Sequence, residues 1–249
     1  MEDKISVTVI SDIHIDKKDF IYNPMVTSDW IFICGDIGNP FSGKYFNFIK
    51  KVSQMHKKVF LIIGNHEYYQ LKYNKTKKCS TFMYDMDQVE EKIKKIANSF
   101  SNVFLLQKSI YIYNNIRIIG CTLWTECDDM VIGDMYSIKD FSNDKYRELH
   151  KNHKLFLENN ISSEGMVNIV VTHHAPSTDL INKLYIGSPI NSFFYCSDMD
   201  GVIAKANLWF YGHTHKTEDK IILGCRCINN AVGHSYENTG YDEKKIIYI

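Results

Sequence analysis

Five short, nearly unbroken runs of β-branched and aromatic residues recur along this 249-residue chain, and each gives way to a cluster of side chains able to bind a cation. "ISVTVI" leads into "SDIHID", "DWIFIC" into "GDIGNP", "KKVFLII" into "GNHEYY", "MVNIVV" into "THHAPS" and "NLWF" into "YGHTHK". Apolar runs without polar alternation suit strands buried on both faces. Between them, "SGKYFNFIKKVSQM", "YDMDQVEEKIKKIANSF" and "NDKYRELHKNHKLFLENN" carry apolar positions near helical spacing. Further strands are expected at "NVFLLQ", "YIYNNIRIIGCTLW", "KIILG", "RCINN" and "KKIIYI". No Pro/Gly/Ser-rich linker divides the chain, so one layered α/β domain over residues 1–249 is expected, with two sheets packed face to face.

Composition excludes some partners. Lys+Arg and Asp+Glu each number 29, so no global charge draws the chain to long nucleic acid or to an anionic membrane. The apolar run Ile5–Ile10 is too short for a signal-peptide core or a membrane span. Seven cysteines, an odd number without regular spacing, point to free thiols in a reducing compartment, and a cytoplasmic protein is expected. Cys225 and Cys227 read as buried strand thiols, with a metal or redox pair as the alternative.

The polar clusters hold Asp12, His14, Asp36, Asn65, His66, His173, His174, His213 and His215. In open α/β sheets, ligands gather outside the carboxyl ends of the strands, where residues distant in sequence meet in one crevice. Extended backbone turns residues i and i+2 the same way, so His213 and His215 can converge. Mixed imidazole and carboxylate donors suit Zn, Fe, Mn or Ni rather than calcium or magnesium. The donors outnumber the three that a single catalytic ion usually takes, so they suit two ions bridged by a carboxylate. Such a pair, roughly 3.5–4 Å apart, clamps an in-line displacement at phosphorus. Each position also has a plainer reading. Asp12 can cap a helix or turn, Asp36 can form a turn, and Asn65 can occupy a left-handed turn after Gly64. Of the adjacent pair, His173 is the expected ligand because it comes first after its strand.

In order, "SDIH", "GDIG", "GNHE", "THHAPS" and "GHTH" resemble the motifs of the calcineurin-like metallophosphoesterase superfamily, and "GCTLWTE", "LWFYGHTH" and "NTGYDE" resemble little-characterised bacterial-type members. The resemblance implies a four-layer fold, two mixed β-sheets packed together and flanked by helices. It implies that Asp12, His14, Asp36 and His215 hold one divalent ion, and that Asp36, Asn65, His173 and His213 hold a second. A metal-bridging hydroxide would attack phosphorus, with His66 beside the substrate as the catalytic imidazole. Glu67 and His174 are candidates for supporting a ligand or facing the substrate.

Departures from the family pattern narrow the substrate. The arginines of "GDxVDRG" and "RGNHE" in protein Ser/Thr phosphatases are absent here, and Ile63 precedes Gly64. Those arginines grip a phosphate dianion, so a phosphodiesterase acting on a nucleotide or another small phosphodiester is favoured over a phosphomonoesterase. The alternatives are a catalytically silent metal-binding scaffold and a nuclease acting on short nucleic acid; no protein partner is inferable. Three segments keep two readings each. His234 is a surface-loop histidine or an extra active-site imidazole. Tyr68–Lys78 is a solvated loop or a lid, and "TLWTECDDM" is a polar turn or part of the cleft entrance.

Overall fold

Each of the five apolar runs forms a strand in the computed structural model, which describes residues 4–74, 79–126, 132–162, 165–181, 183, 186–188 and 198–249. In the first sheet, β1 (Ser6–Ile10), β2 (Trp30–Cys34), β3 (Lys58–Ile62) and β6 (Val103–Leu105) run parallel, and β13 (Ile247–Tyr248) pairs antiparallel with β1. The second sheet has a parallel centre of β8 (Ile116–Cys121), β9 (Val167–Thr172), β10 (Leu208–Phe210) and β12 (Cys225–Asn229). Antiparallel strands β7 (Ser109–Tyr113) and β11 (Glu218–Ile222) close its two edges.

Strand alternation sorts the core into layers. On β2, Ile31 and Ile33 face α1 (Gly43–Met55) and α2 (Met86–Ala97), meeting Ile49, Val52, Val89 and Ile93. The intervening Phe32 and Cys34 face the other sheet, joining Phe60, Ile62, Ile118, Val171, Phe210 and Ile228. Behind the second sheet, Val170, Trp209, Cys225 and Cys227 pack on Leu157 of α4 (Asn143–Asn160) and on Val202 and Ile203 of α5 (Asp200–Ile203). The order is helix, sheet, sheet, helix. Both faces of each central strand are covered, which is why the sequence shows no polar alternation there. Side-chain caps start the long helices: Ser42 and Ser142 each accept an N–H from the first turn, and Asp85 forms a reciprocal capping box with Gln88.

Three local features differ from the sequence reading. "YIYNNIRIIGC" is a hairpin, β7 to β8, that reverses at Asn114 with φ 51°. The stretch after Glu67 is not a plain loop: β4 (Leu71–Asn74) pairs with β5 (Cys79–Phe82), while residues 75–78 lie outside the described residues. Its aromatics Tyr68 and Tyr69 precede the hairpin, Tyr68 buried and Tyr69 beside His66. A short α3 (Gly133–Ser137) follows residues 127–131, which lie outside the described residues and include the last four positions of the stretch read as a polar turn or cleft entrance. Cys34, Cys121, Cys225 and Cys227 are buried free thiols. No helix among the described residues is long and apolar enough to cross a membrane.

One buried imidazole makes the fold acid-sensitive. His153 of α4 accepts the Leu123 N–H at 3.0 Å through Nδ1, and burial pushes its pKa down to about 3 from an ordinary 6.5. The unfolded chain therefore takes up this proton first. The contribution is complete above about pH 6.5 and is lost as the pH falls toward 3, at up to about 1.4 kcal/mol per pH unit. His153→Gln, which retains an acceptor, is expected to flatten the fall of urea-unfolding free energy between pH 6 and 4; an unchanged slope would contradict this account.

Candidate metal centre

The candidate ligands leave the C-terminal ends of β1, β2, β3, β9 and β10, drawn from both sheets. Backbone bonds tie their loops together: Asp12 N donates to Gly35 O (3.1 Å), His14 N to Asp36 O (2.9 Å) and Gly212 N to His173 O (2.9 Å). Asp12, His14, Asp36, His213 and His215 all adopt the left-handed region, with φ between 47° and 65°. Non-glycine residues held there cost about 1–3 kcal/mol each and cluster at functional sites. Asn65 does not share this conformation. It sits at φ −74°, ψ −31° and opens the 3-10 turn His66–Tyr68, so the left-handed turn considered for it falls instead on the five residues above. The loops also approach too closely for side chains at two glycines. A Cβ on Gly35 would meet His173 Nδ1 at 2.6 Å, and one on Gly64 would strike the Asp36 backbone N at 2.6 Å.

Two groups of donors form around Asp36. In the first, donor atoms of Asp12, His14, Asp36 and His215 all lie within 4.8 Å of one another. His14 Nε2 is 3.0 Å from His215 Nε2 and 3.8 Å from Asp36 Oδ2. His215 Nδ1 bonds Glu237 Oε2 at 2.6 Å, which places its proton on Nδ1 and leaves a lone pair on Nε2 facing His14. Two imidazoles on one cation, with metal–nitrogen bonds of about 2.0–2.1 Å, span such a separation at roughly a right angle.

In the second group, His173 Nδ1 donates to Cys34 O at 2.8 Å, so its Nε2 carries a lone pair. That nitrogen is 3.0 Å from Asn65 Oδ1 and 3.5 Å from Asp36 Oδ1. Asn65 is oriented by its amide nitrogen, which donates to Asp134 Oδ1 at 2.9 Å. Two acceptors thus face each other with no proton between them, an arrangement that a cation relieves. His213 is placed less closely, its ring 5.0 Å from that of His173, and among the described residues no cluster of three or more histidine or carboxylate donors within 4.8 Å of one another includes His173 or His213. Asp36 spans both groups, Oδ2 toward the first and Oδ1 toward the second.

His66 Nε2 lies 3.9 Å from Asp36 Oδ2, with its ring stacked 4.2 Å from Tyr69. His174 takes no part in the cleft. Its ring nitrogens reach Tyr146 Oη (3.3 Å) and Thr122 O (3.2 Å), and it packs 4.2 Å behind His213. Glu67 bonds the loops rather than His66: its carboxylate accepts N–H groups from Asp36 (3.0 Å), Ile37 (2.6 Å), Gly38 (3.4 Å) and Gly64 (2.9 Å). Three supporting residues escaped the sequence reading. Ser11 Oγ lies 2.6 Å from Asp12 Oδ2, Asp134 fixes Asn65 and bonds Tyr69 Oη, and Glu237 fixes His215. No strand-end pattern marks Asp134 or Glu237.

Electrostatics agree with the geometry. Asp12, Asp36, Glu67 and Asp134 are all buried. Burial, then the nearby Glu67 and Asp12 carboxylates, push Asp36 well above the usual range. Burial raises Glu67 to about 7 against the pull of its backbone donors, and Asp134 to about 6. His14, His173 and His213 are shifted down, chiefly by burial, so neutral imidazoles suited to coordination line the crevice. Buried carboxylates without counter-charge cost several kcal/mol each, and divalent cations supply that charge.

A family model for calcineurin-like phosphoesterases matches residues 5–217. The chain belongs to the calcineurin-like phosphoesterase family. A curated relative, uncharacterized protein L509 of Acanthamoeba polyphaga mimivirus, is 28% identical over 275 residues, covering 96% of this chain and 95% of its own. Among solved structures, the phosphopantetheinyl hydrolase PptH of Mycobacterium tuberculosis superposes with a TM-score of 0.71 at 12% identity, covering 99% of this chain and 96% of that one. TT1561 of Thermus thermophilus superposes at 0.54 with 9% identity, covering 92% and 90%. At these identities the structural likenesses establish the fold, and the layered sheets of this calcineurin-like phosphoesterase agree with it.

Because Asp36 turns one oxygen toward each donor group, Asp36→Ala is expected to lower cation occupancy at both, measured by elemental analysis after reconstitution. Asn65→Ala should deplete only one. Two full equivalents in the Asp36 variant would refute the bridging arrangement.

Proposed function

We propose that this phosphoesterase is dinuclear, with Asp12, His14, Asp36 and His215 holding one divalent ion and Asp36, Asn65, His173 and His213 holding the other. Its reaction is hydrolysis of a small phosphodiester, such as a nucleotide diester. The observation that supports the two-ion reading best is the Asp36 carboxylate, which turns one oxygen toward each donor group. Bound there, two cations of the Mn, Fe, Zn or Ni type neutralise charge on a phosphoryl group and lower the pKa of water.

The chain's own residues shape the rest. His66, with Tyr69 stacked against it, forms one wall of a cleft of about 360 Å³ that His14, Asp16, Lys17, Gly38, Asn39 and Ser42 complete. A phosphoryl group held between the two donor groups would lie against His66, whose imidazole, kept neutral by burial that pushes its pKa down to about 2, would donate a hydrogen bond to a phosphoryl or leaving oxygen. Tyr69 is itself held by Asp134, so the stacking restrains the His66 ring. Lys17 is exposed and has no ion-pair partner among the described residues, which leaves its ammonium for the substrate. One lysine and two cations suit the single charge of a diester, where phosphatase-type sites use fixed arginines for a dianion.

The testing experiment uses metal-reconstituted protein with cyclic nucleotides, cyclic dinucleotides, phosphopantetheinyl esters, phosphomonoesters and bis-p-nitrophenyl phosphate. Diester turnover above monoester turnover is expected; the reverse order would overturn the diester preference. His66→Ala should retain both metals while kcat falls about 10²–10⁴-fold, and undiminished turnover would remove His66 from this role. Lys17→Ala should raise KM several-fold with little change in kcat; a fall in kcat at constant KM would show that Lys17 does something other than bind substrate.

A further inference from the structure

The loop after β12 closes over the first donor group and brings in a histidine that the family pattern does not use. Donor nitrogens of His14, His215 and His234 lie within 4.8 Å of one another. The His234 ring stacks 4.4 Å from that of His14 and lies 5.0 Å from that of His215. Neither of its ring nitrogens has a hydrogen-bond partner among the described residues. The placement is built by several bonds. Val232 N donates to Ser11 O and Gly233 N to Asp12 O, both at 2.9 Å, and Lys18 Nζ bonds Gly233 O. Glu237 Oε2 accepts from both His215 Nδ1 and the His234 backbone N–H, each at 2.6 Å. One carboxylate therefore fixes a candidate ligand and the loop that carries His234. Gly233, at φ 66°, turns the loop where an added Cβ would collide with Thr239 and with Glu237.

On the two-ion reading, we propose that His234 is a further ligand of the cation held by Asp12, His14, Asp36 and His215. That position then offers three imidazoles, where the position on Asn65, His173 and His213 offers two. Nitrogen-rich sites follow the rise in affinity from Mn²⁺ toward Ni²⁺ and Zn²⁺, whereas oxygen-rich sites suit Mn²⁺ and Mg²⁺. The two positions thus differ in metal preference, with the His234 side favouring Zn²⁺ or Ni²⁺.

The test measures metal binding and needs no substrate. Purified full chain is stripped, titrated with Zn²⁺, Mn²⁺ or Co²⁺, and read by elemental analysis, competition with a chromophoric chelator and the visible spectrum of the cobalt form. Wild type should bind two ions. His234→Ala should keep one ion at wild-type affinity, which also shows that the fold survives, while the other weakens for Zn²⁺ by tenfold or more and the cobalt spectrum changes. His234→Asp should restore two-ion stoichiometry but narrow the preference for Zn²⁺ over Mn²⁺. Two ions in wild type, with unaltered affinities and cobalt spectrum in both variants, would overturn the His234 assignment alone. Fewer than two in wild type would overturn the two-ion reading and the His234 assignment with it.

Discussion

The site depends on pairs of acceptors held face to face inside the protein. His173 Nε2 and Asn65 Oδ1 stand 3.0 Å apart, each deprived of an alternative role because its other polar atom is committed, to Cys34 O and to Asp134. Such a contact is repulsive in a bare protein and becomes favourable once a cation lies beside both atoms. Asp36 extends the same logic across the crevice by presenting one oxygen on each side. The carboxylates there are buried, where an uncompensated charge is costly. Charge and donor geometry both call for divalent ions, and they do so independently of the family resemblance.

The backbone carries a matching cost. Five residues of the donor set adopt left-handed conformations, and at about 1–3 kcal/mol each their sum is comparable with the roughly 5–15 kcal/mol net stability of a folded domain. A fold tolerates this only where its surroundings over-determine the loops. Here they do. Glu67 gathers four backbone N–H groups from two loops, and Asp12 accepts the His213 N–H at 3.0 Å. Gly35 and Gly64 let the loops approach within distances that any side chain would prevent. Donor placement and loop closure are then two aspects of one hydrogen-bonded unit.

Much of this was legible in the sequence because strands impose direction. A buried parallel strand ends at one edge of its sheet, so the polar residues after "SVTVI", "WIFIC", "KVFLI", "VNIVVT" and "LWF" had to gather there. What the sequence concealed are contacts with no local pattern. Asp134 reaches Asn65 across 69 residues and Glu237 reaches His215 across 22, and neither follows an apolar run of the kind that marks the ligands. His234 read first as a surface-loop histidine, because only the tertiary bonds of Val232 and Gly233 to Ser11 and Asp12 bring it to the crevice. The β4–β5 hairpin was missed for another reason. Each strand has only four residues, and no Asn-Gly or Asp-Gly pair marks a two-residue turn.

The division of donors between the sheets has a mechanical consequence. Loops after β1 and β2 belong to the first sheet and those after β9 and β10 to the second, yet His14 meets His215 and Asp36 meets His173. The meeting of donors within each group therefore depends on how the sheets stack, through the aromatic and β-branched layer of Phe32, Phe60, Val171 and Phe210. A close-packed layer of this kind yields little to strain, so the donor sets are held together by residues outside them. The cleft itself lies outside that layer: Lys17, Asn39 and Tyr69 line it, and His234 stacks on His14.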